Sequence, residues 1–267
     1  IENNRFSFKR FYERRARRIL PALFFVAAIC IPFAWMWMLP SQMKDFSQSL
    51  VAISLFASNI LFWIESGYFA PAAEEKPLLH TWSLAVEEQY YVLFPIFLFL
   101  AWRFGKNRVF WIITALAAIS LGLSEWGSRY HASANFYLAP TRAWELLAGS
   151  ITAFIAQKRG VKSSNILSLL GLAAIVFAIF AYDDNTPFPS LYALIPVMGV
   201  VLFILYADQQ TLAAKLLGVK FFVGIGLISY SAYLWHQPLF AFARIRVLGE
   251  PSVLLMATLS ASSLVLA

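Results

Sequence analysis

The sequence predicts an all-α fold, a polytopic bundle of about eight or nine transmembrane helices. Two observations predict it. Hydrophobic residues make up 60% of the 267 residues and charged residues only 13%, whereas soluble domains carry about 25% charged residues. Apolar runs of membrane length recur without the alternation typical of barrel strands, and a bilayer admits only helices or closed barrels. We expect one integral membrane domain over residues 1–267.

The net charge of +7 does not predict a nucleic-acid partner, because the basic residues lie mainly in short loops between apolar runs. This distribution is typical of positive-inside topology. The single cysteine, Cys30, lies in an apolar run and can form no disulfide within the chain. No two histidines have metal-ligand spacing, so we predict no metal site.

The predicted membrane segments follow a basic arm at residues 1–18. They are the apolar runs Ile19–Leu39, Phe46–Ile64, Leu78–Leu100, Val109–Ser124, Thr141–Gln157, Ile166–Tyr182, Leu191–Ala207 and Phe221–Ala243, with a last run from Pro251.

The predicted topology depends on whether the run Phe46–Ile64 crosses the membrane. The length of Phe46–Ile64 suits a full span, but a segment that dips back places most Lys and Arg on the side of the basic arm. That second arrangement predicts a cytoplasmic arm and puts His80 on the extracytoplasmic side. Glu125–Pro140 is expected to be a polar and aromatic loop in which His131 is a surface residue.

The stretch Leu78–Leu100 organises the rest of the chain. It opens with His80 and then places two adjacent carboxylates inside the start of an apolar run, where a charge is costly and suggests function. On a helix, Ser83, Glu87 and Tyr91 share one face. We predict catalytic roles for Glu87 and His80, the latter because imidazole titrates near neutral pH; a structural hydrogen-bond network is the alternative. The predicted cavity side chains here are Trp82, Ser83 and Tyr91.

Arginines cluster directly before the first apolar run. Two arginines three residues apart share a helix face and can form a fork for phosphate. The candidate donor-binding residues are Arg14, Arg15, Arg17 and Arg18. Topology determination or binding to anionic membrane lipids is the alternative interpretation.

Arg142 and Glu145 lie three residues apart at the start of another run. They are predicted to line the polar cavity, either as an ion pair with each other or with Arg142 as a partner of Glu87. A structural network between helices is the alternative.

Ser229, Tyr233 and His236 form one polar stripe on an otherwise apolar span. Such a stripe is predicted to face a cavity, with His236 as a third candidate catalytic group. Hydrogen bonding that holds helices together is the alternative.

Four motifs, in this order, resemble those of membrane acyltransferase family 3, the O-antigen acetylase type. They are FYERRARRILPAL (Phe11–Leu23), LLHTWSLAVEEQYYVLFP (Leu78–Pro95), TRAWELLAG (Thr141–Gly149) and ISYSAYLWHQPL (Ile228–Leu239). The resemblance implies a multi-pass enzyme of about ten spans in the bacterial inner membrane. It would move an acyl group, often acetyl, from cytoplasmic acyl-CoA to a hydroxyl of a surface or lipid-linked polysaccharide such as the lipopolysaccharide O-antigen.

The resemblance also implies roles for single residues. The family's Arg-x-x-Arg spacing fits Arg14/Arg17 or Arg15/Arg18, and we prefer the second pair because it directly precedes the span. Arg142 corresponds to the arginine of the third motif. Acyl-CoA would be a substrate, with no tightly bound cofactor.

Because the chain starts at Ile1 and its last run stops at Ala267, we expect a fragment of a longer protein. The family's first two spans, with its main catalytic histidine, are expected upstream. A transporter or flippase of a lipid-linked sugar would also explain charges within the membrane, but it predicts paired repeats that the sequence lacks.

Overall fold

The computed structural model describes residues 7–67, 73–183, 185–247, 249 and 251–267. These residues form α-helices and short 3₁₀ turns, with no strand among them. The helices are α1 (Phe8–Trp37), α2 (Pro40–Ser54), α3 (Ser58–Ile64), α4 (Thr81–Ala101), α5 (Lys106–Tyr130), α6 (Ala132–Tyr137), α7 (Ala139–Arg159), α8 (Asn165–Ala181), α9 (Leu194–Tyr206), α10 (Leu212–Leu217), α11 (Lys220–Arg246) and α12 (Val253–Val265).

The predicted helical membrane fold is confirmed. Among the described residues, three helical segments are long and apolar enough to cross a membrane: Phe8–Trp37, Thr81–Phe104 and Lys106–Tyr130. Shorter apolar helices occur at Asn165–Ala181, Leu191–Tyr206 and Val253–Val265. Helices α7 and α11 also have membrane length, with 21 and 27 residues, and they carry the polar positions singled out above.

The structure divides the ambiguous run Phe46–Ile64 into two helices. Helix α2 ends at Ser54 and α3 begins at Ser58. Between them, Phe56 has a φ of 50°, in the left-handed region that stops an α-helix. The run is therefore not one continuous membrane helix.

Glu125–Pro140 is largely helical, so the expected loop is wrong. Helix α5 continues to Tyr130, and α6 follows after His131. An ion pair between Glu125 and Arg129, one turn apart, stabilises the end of α5. Local charge pairing thus extends the helix beyond its apolar part. His131 is exposed, as expected, and its ring packs against Trp126.

The chain forms two compact units, and a single functional domain stays a prediction. The first unit combines the residues up to Glu88 with Gly224–Ala267, and the second contains Gln89–Val223. In the first unit, the core lies between α1 and α11, where Leu23 and Cys30 are buried near Leu234. The α1 side chains that enter this core recur every three or four residues, as expected for one buried helix face.

In the second unit, α8 and α9 approach closely through two glycines. A Cβ atom built on Gly171 would lie 2.6 Å from the carbonyl oxygen of Gly199, and one on Gly199 would lie 2.7 Å from that of Gly171. Small residues allow helix backbones to approach in this way. A side chain at either position would push backbone against backbone.

Gly171→Ala is expected to lower the free energy of unfolding by about 1–3 kcal/mol, because overpacking forces backbone shifts. Urea unfolding in detergent micelles measures the effect. Gly122→Ala is the matched control, since a Cβ there meets nothing within 4 Å. Equal stability of the two variants would contradict the close contact.

Candidate functional site

Four side chains from the loop before α4, from α4 and from α11 meet in the first unit. We call them the histidine cluster: His80, Ser83, Tyr233 and His236. The Tyr233 hydroxyl donates to the backbone oxygen of His80 and lies 2.6 Å from the Ser83 hydroxyl. The His80 and His236 rings lie 5.3 Å apart, centroid to centroid. The fold therefore brings together residues about 150 positions apart in the sequence.

The position of each hydroxyl proton follows from its partners. A carbonyl oxygen can only accept, so the single Tyr233 proton points to the His80 backbone, and Ser83 donates to the tyrosine oxygen. The Nδ1 atom of His236 lies 2.5 Å from the Tyr233 carbonyl oxygen and must donate to it. In a neutral His236, Nε2 is then left as a hydrogen-bond acceptor.

His80 is held as a neutral imidazole. Its residue is 8% exposed, and neither ring nitrogen has a hydrogen-bond partner within the described parts of the chain. Burial lowers the pKa of His80 to about 3, and repulsion from a positive charge on the neighbouring His236 adds to this effect. The Pro77 carbonyl has a smaller, opposite effect on the pKa, although it forms no hydrogen bond with the ring. Both ring nitrogens are closed off from the surface, and the ring packs against Tyr233 and His236.

The lowered pKa of His80 predicts a pH dependence of stability. Below the ordinary pKa of 6.5, the unfolded state binds a proton that folded His80 does not. Stability should therefore be complete above pH 6.5 and fall as the pH drops toward 3, by up to about 1.4 kcal/mol per pH unit. Unfolding in mixed micelles between pH 7.5 and 5 measures this slope. His80→Gln should reduce the slope, and His131→Gln should leave it unchanged; an unchanged slope in His80→Gln would contradict the assignment.

Glu88 forms a largely buried ion pair in the first unit. Arg15 of α1 contacts both Glu88 oxygens, with Nε to Oε2 at 3.3 Å, and the Glu88 side chain is 8% exposed. A two-pronged guanidinium–carboxylate contact compensates the cost of burying both charges. The sequence contained a signal for this role, because Glu88 follows the buried Leu84 by one helical turn.

The arginine cluster of α1 is not uniform. Arg17 pairs with Glu13 at 2.9 Å on the exposed surface, whereas Arg15 is half-buried against Glu88. Arg14 and Arg18 are exposed and have no carboxylate partner among the described residues. They lie four residues apart and therefore share a helix face. In the pair Arg15/Arg18, which the sequence favoured for donor binding, Arg15 is bound to Glu88 and Arg18 is accessible.

The other predicted residues of α4 and α11 have varied surroundings. Trp82 and Glu87 are half-buried in the first unit, and the Glu87 charge acts on Tyr233. Tyr91 belongs to the second unit, where it packs edge-to-face on Tyr90. Ser229 is exposed and donates to the Gly226 carbonyl of its own helix, so its hydroxyl is outside the histidine cluster.

Arg142 and Glu145 belong to the second unit. Arg142 is 6% exposed, and its Nη1 atom lies 3.2 Å from Oε1 of Glu145. Its guanidinium stacks over the rings of Phe136 and Phe188, and its Nε donates to the Phe136 carbonyl. Two aromatic rings and a carboxylate thus hold this arginine in one orientation. Its alternative role as a partner of Glu87 stays a prediction.

In the ranges the structure describes, no group of three or more His, Cys, Asp or Glu side chains could hold a metal ion.

Comparison with known proteins identifies the family. The sequence model of a protein family, described as an acyltransferase domain, matches residues 2–267. An uncharacterized protein of Haemophilus influenzae is 32% identical over 79% of this chain and 92% of its own length. The O-acetyltransferase OatA of Staphylococcus aureus is 31% identical over 87% of the chain, and the peptidoglycan O-acetyltransferase OatA of Listeria monocytogenes is 27% identical over 89%.

The chain spans 41% of the length of each of these two O-acetyltransferases. No solved structure matches it. The family match covers nearly the whole chain and includes all four motifs, the arginine cluster and the histidine cluster. This chain therefore belongs to the acyltransferase 3 family of integral membrane enzymes and forms its acyltransferase domain.

Proposed function

We propose that this chain is the membrane part of an O-acetyltransferase, which moves an acetyl group from cytoplasmic acetyl-CoA to a hydroxyl of a cell-envelope glycan. Membership of the acyltransferase family supports the reaction, and the names of the two OatA relatives, both O-acetyltransferases, support acetyl as the group. The Listeria relative is named for peptidoglycan, which supports an envelope polysaccharide as acceptor. In this proposal the protein lies in the bacterial inner membrane with its basic arm in the cytoplasm.

The observation that carries the proposal is the histidine cluster. Its hydroxyl protons are committed to protein acceptors, and Nδ1 of His236 donates to the Tyr233 carbonyl, which leaves Nε2 of the half-buried His236 for a ligand. An acceptor hydroxyl needs such an acceptor atom to orient its proton and direct its oxygen lone pair at the acyl carbon. Glu87 adds a negative charge near Tyr233, which favours a positively charged imidazole during the reaction.

In the proposed reaction, the acyl group passes from sulfur to oxygen while His236 carries the proton. The acceptor oxygen attacks the thioester carbonyl carbon and forms a C–O bond. Its proton passes to Nε2 of His236, which acts as general base. The C–S bond then breaks, and the protonated histidine returns the proton to the departing thiolate of coenzyme A. The enzyme is regenerated without a tightly bound cofactor.

Arg14 and Arg18 are proposed to bind the phosphates of the donor. Both guanidiniums are exposed, share a face of α1 and are not paired with a described carboxylate. Guanidinium forks suit phosphate better than ammonium groups do. Arg15 holds the helix in place through Glu88, and Arg17 has Glu13 as a competing partner.

The test uses membranes containing the full-length protein and labelled acetyl-CoA. Arg14→Lys/Arg18→Lys keeps both charges but removes the forks, so the KM for acetyl-CoA should rise about tenfold, the equivalent of one lost charge-assisted hydrogen bond. Arg108→Lys/Arg159→Lys is the matched control at two exposed arginines outside α1. An unchanged KM in normally inserted protein would contradict the donor site. No label transfer by wild type, with glycan export dependent on the protein, would favour a transporter instead.

A further inference from the structure

An apolar groove lies in the first unit, away from the polar atoms of the histidine cluster. It has a volume of about 380 Å³ and is formed by α1, α11 and the last helix, α12. Its walls include Ile29, Phe33, Trp235, Phe242, Leu255 and Leu259. This volume is within the range of small-ligand sites, about 300–1,000 Å³. The groove can therefore hold a hydrocarbon group.

The helical periodicity explains why the groove is apolar along its length. On α1, Ile29, Phe33 and Trp37 recur every four residues and present one continuous stripe. On α11, Trp235 and Phe242 lie seven residues apart, which is about two helical turns, and therefore share a face. Ala243 leaves space between larger neighbours. His236 follows Trp235 directly but points its ring toward His80, so the groove and the cluster use different faces of α11.

One end of the groove carries a single cation. Arg246 is exposed, and its guanidinium lies 5.5 Å from the centre of the Trp37 ring. It has no carboxylate partner among the residues that the structure describes. By contrast, Arg244, two positions earlier, pairs with Glu74 at 2.9 Å. Arg and Trp together at the end of membrane-length helices are typical of the level of lipid headgroups.

These features point to an amphiphile with an anionic head. An apolar groove at the depth of the membrane helices suits an acyl chain, and the exposed guanidinium at its end suits a phosphate. We propose that the groove binds an acyl chain of an anionic glycerophospholipid, whose phosphate contacts Arg246. The lipid fills the space between α12 and the α1–α11 pair. This proposal does not depend on acetyl transfer.

The test uses the full-length protein in nanodiscs that contain phosphatidylglycerol with a photoreactive diazirine in its acyl chain. Peptide mass spectrometry after irradiation should find the label on groove residues of α1, α11 or α12. The same diazirine on phosphatidylcholine should label these residues less. Arg246→Gln should lower the preference for phosphatidylglycerol about fivefold, the effect of one basic residue near an anionic headgroup.

Arg244→Gln is the matched control, because it removes the same charge from the same helix end but does not line the groove. Ala243→Phe and, independently, Leu259→Phe should fill the groove and remove most of the label. Label found elsewhere, or equal labelling by both lipids, would overturn the proposal. Displacement of the label by a trace of polyprenyl phosphate, but not by excess phosphatidylglycerol, would also overturn it and assign the groove to a lipid carrier.

Discussion

Replacing His236 with Gln is expected to lower the kcat of acetyl transfer by about 10²–10⁴-fold, the usual contribution of a general base. Gln can still donate to the Tyr233 carbonyl, as His236 Nδ1 does. It cannot accept a proton at the position of Nε2. Because Arg14 and Arg18 are untouched, the KM for acetyl-CoA should stay close to that of the wild type.

The matched control for this change is His131→Gln. It is chemically the same substitution, but His131 is exposed and its ring packs against Trp126, outside the histidine cluster. Label transfer from acetyl-CoA in membranes with equal amounts of inserted protein provides the measurement. If His236→Gln retained more than about a tenth of the wild-type kcat, the general-base role would be wrong, since a base contributes at least ~10²-fold.

Glu88→Gln is expected to lower the free energy of unfolding by about 3–5 kcal/mol, because it leaves a largely buried guanidinium without its carboxylate. Arg15→Gln should cost a similar amount, since the Glu88 side chain is only 8% exposed. Replacing both residues with apolar ones, as in Arg15→Met/Glu88→Leu, should restore most of the stability. Unfolding in mixed micelles at pH 7.5 measures all three variants.

The chain offers a control pair for this prediction on the same helix. Arg17 and Glu13 form an ion pair that is mostly exposed, with side chains 79% and 47% accessible. Glu13→Gln should therefore cost only about 0.3–0.5 kcal/mol, as exposed pairs one turn apart do. A loss of less than 1 kcal/mol in Glu88→Gln would mean that water screens the Arg15 contact despite its burial.

Much of the fold could be predicted from apolar length alone, because the bilayer leaves helices as the main solution for such runs. The division of Phe46–Ile64 could not, since it depends on one left-handed residue, Phe56, in an otherwise uniform run. The helical end of α5 was also hidden, because its stabilising pair, Glu125–Arg129, lies where the hydropathy falls.

The candidate site was predicted in part. Residues three or four apart on one helix could be grouped from the sequence, which placed Ser83 near Glu87 and Tyr233 near His236. The contact between Ser83 and Tyr233 required tertiary packing, as did the contact between Arg15 and Glu88. Adjacent side chains point in directions about 100° apart on a helix, so the position of α1 decides that Glu88 reaches Arg15.

Ser83 and Glu88 lie on one helix, which fixes the distance between the Ser83–Tyr233 contact and the Glu88–Arg15 contact. Five residues of α-helix rise about 7.5 Å. One end of that interval is attached to α1 through Arg15, and the other to α11 through Tyr233. Helix α4 thus sets the spacing between these two contacts. A residue inserted between Ser83 and Glu88 would rotate one contact by about 100° relative to the other, so the length of this segment cannot vary while both contacts persist.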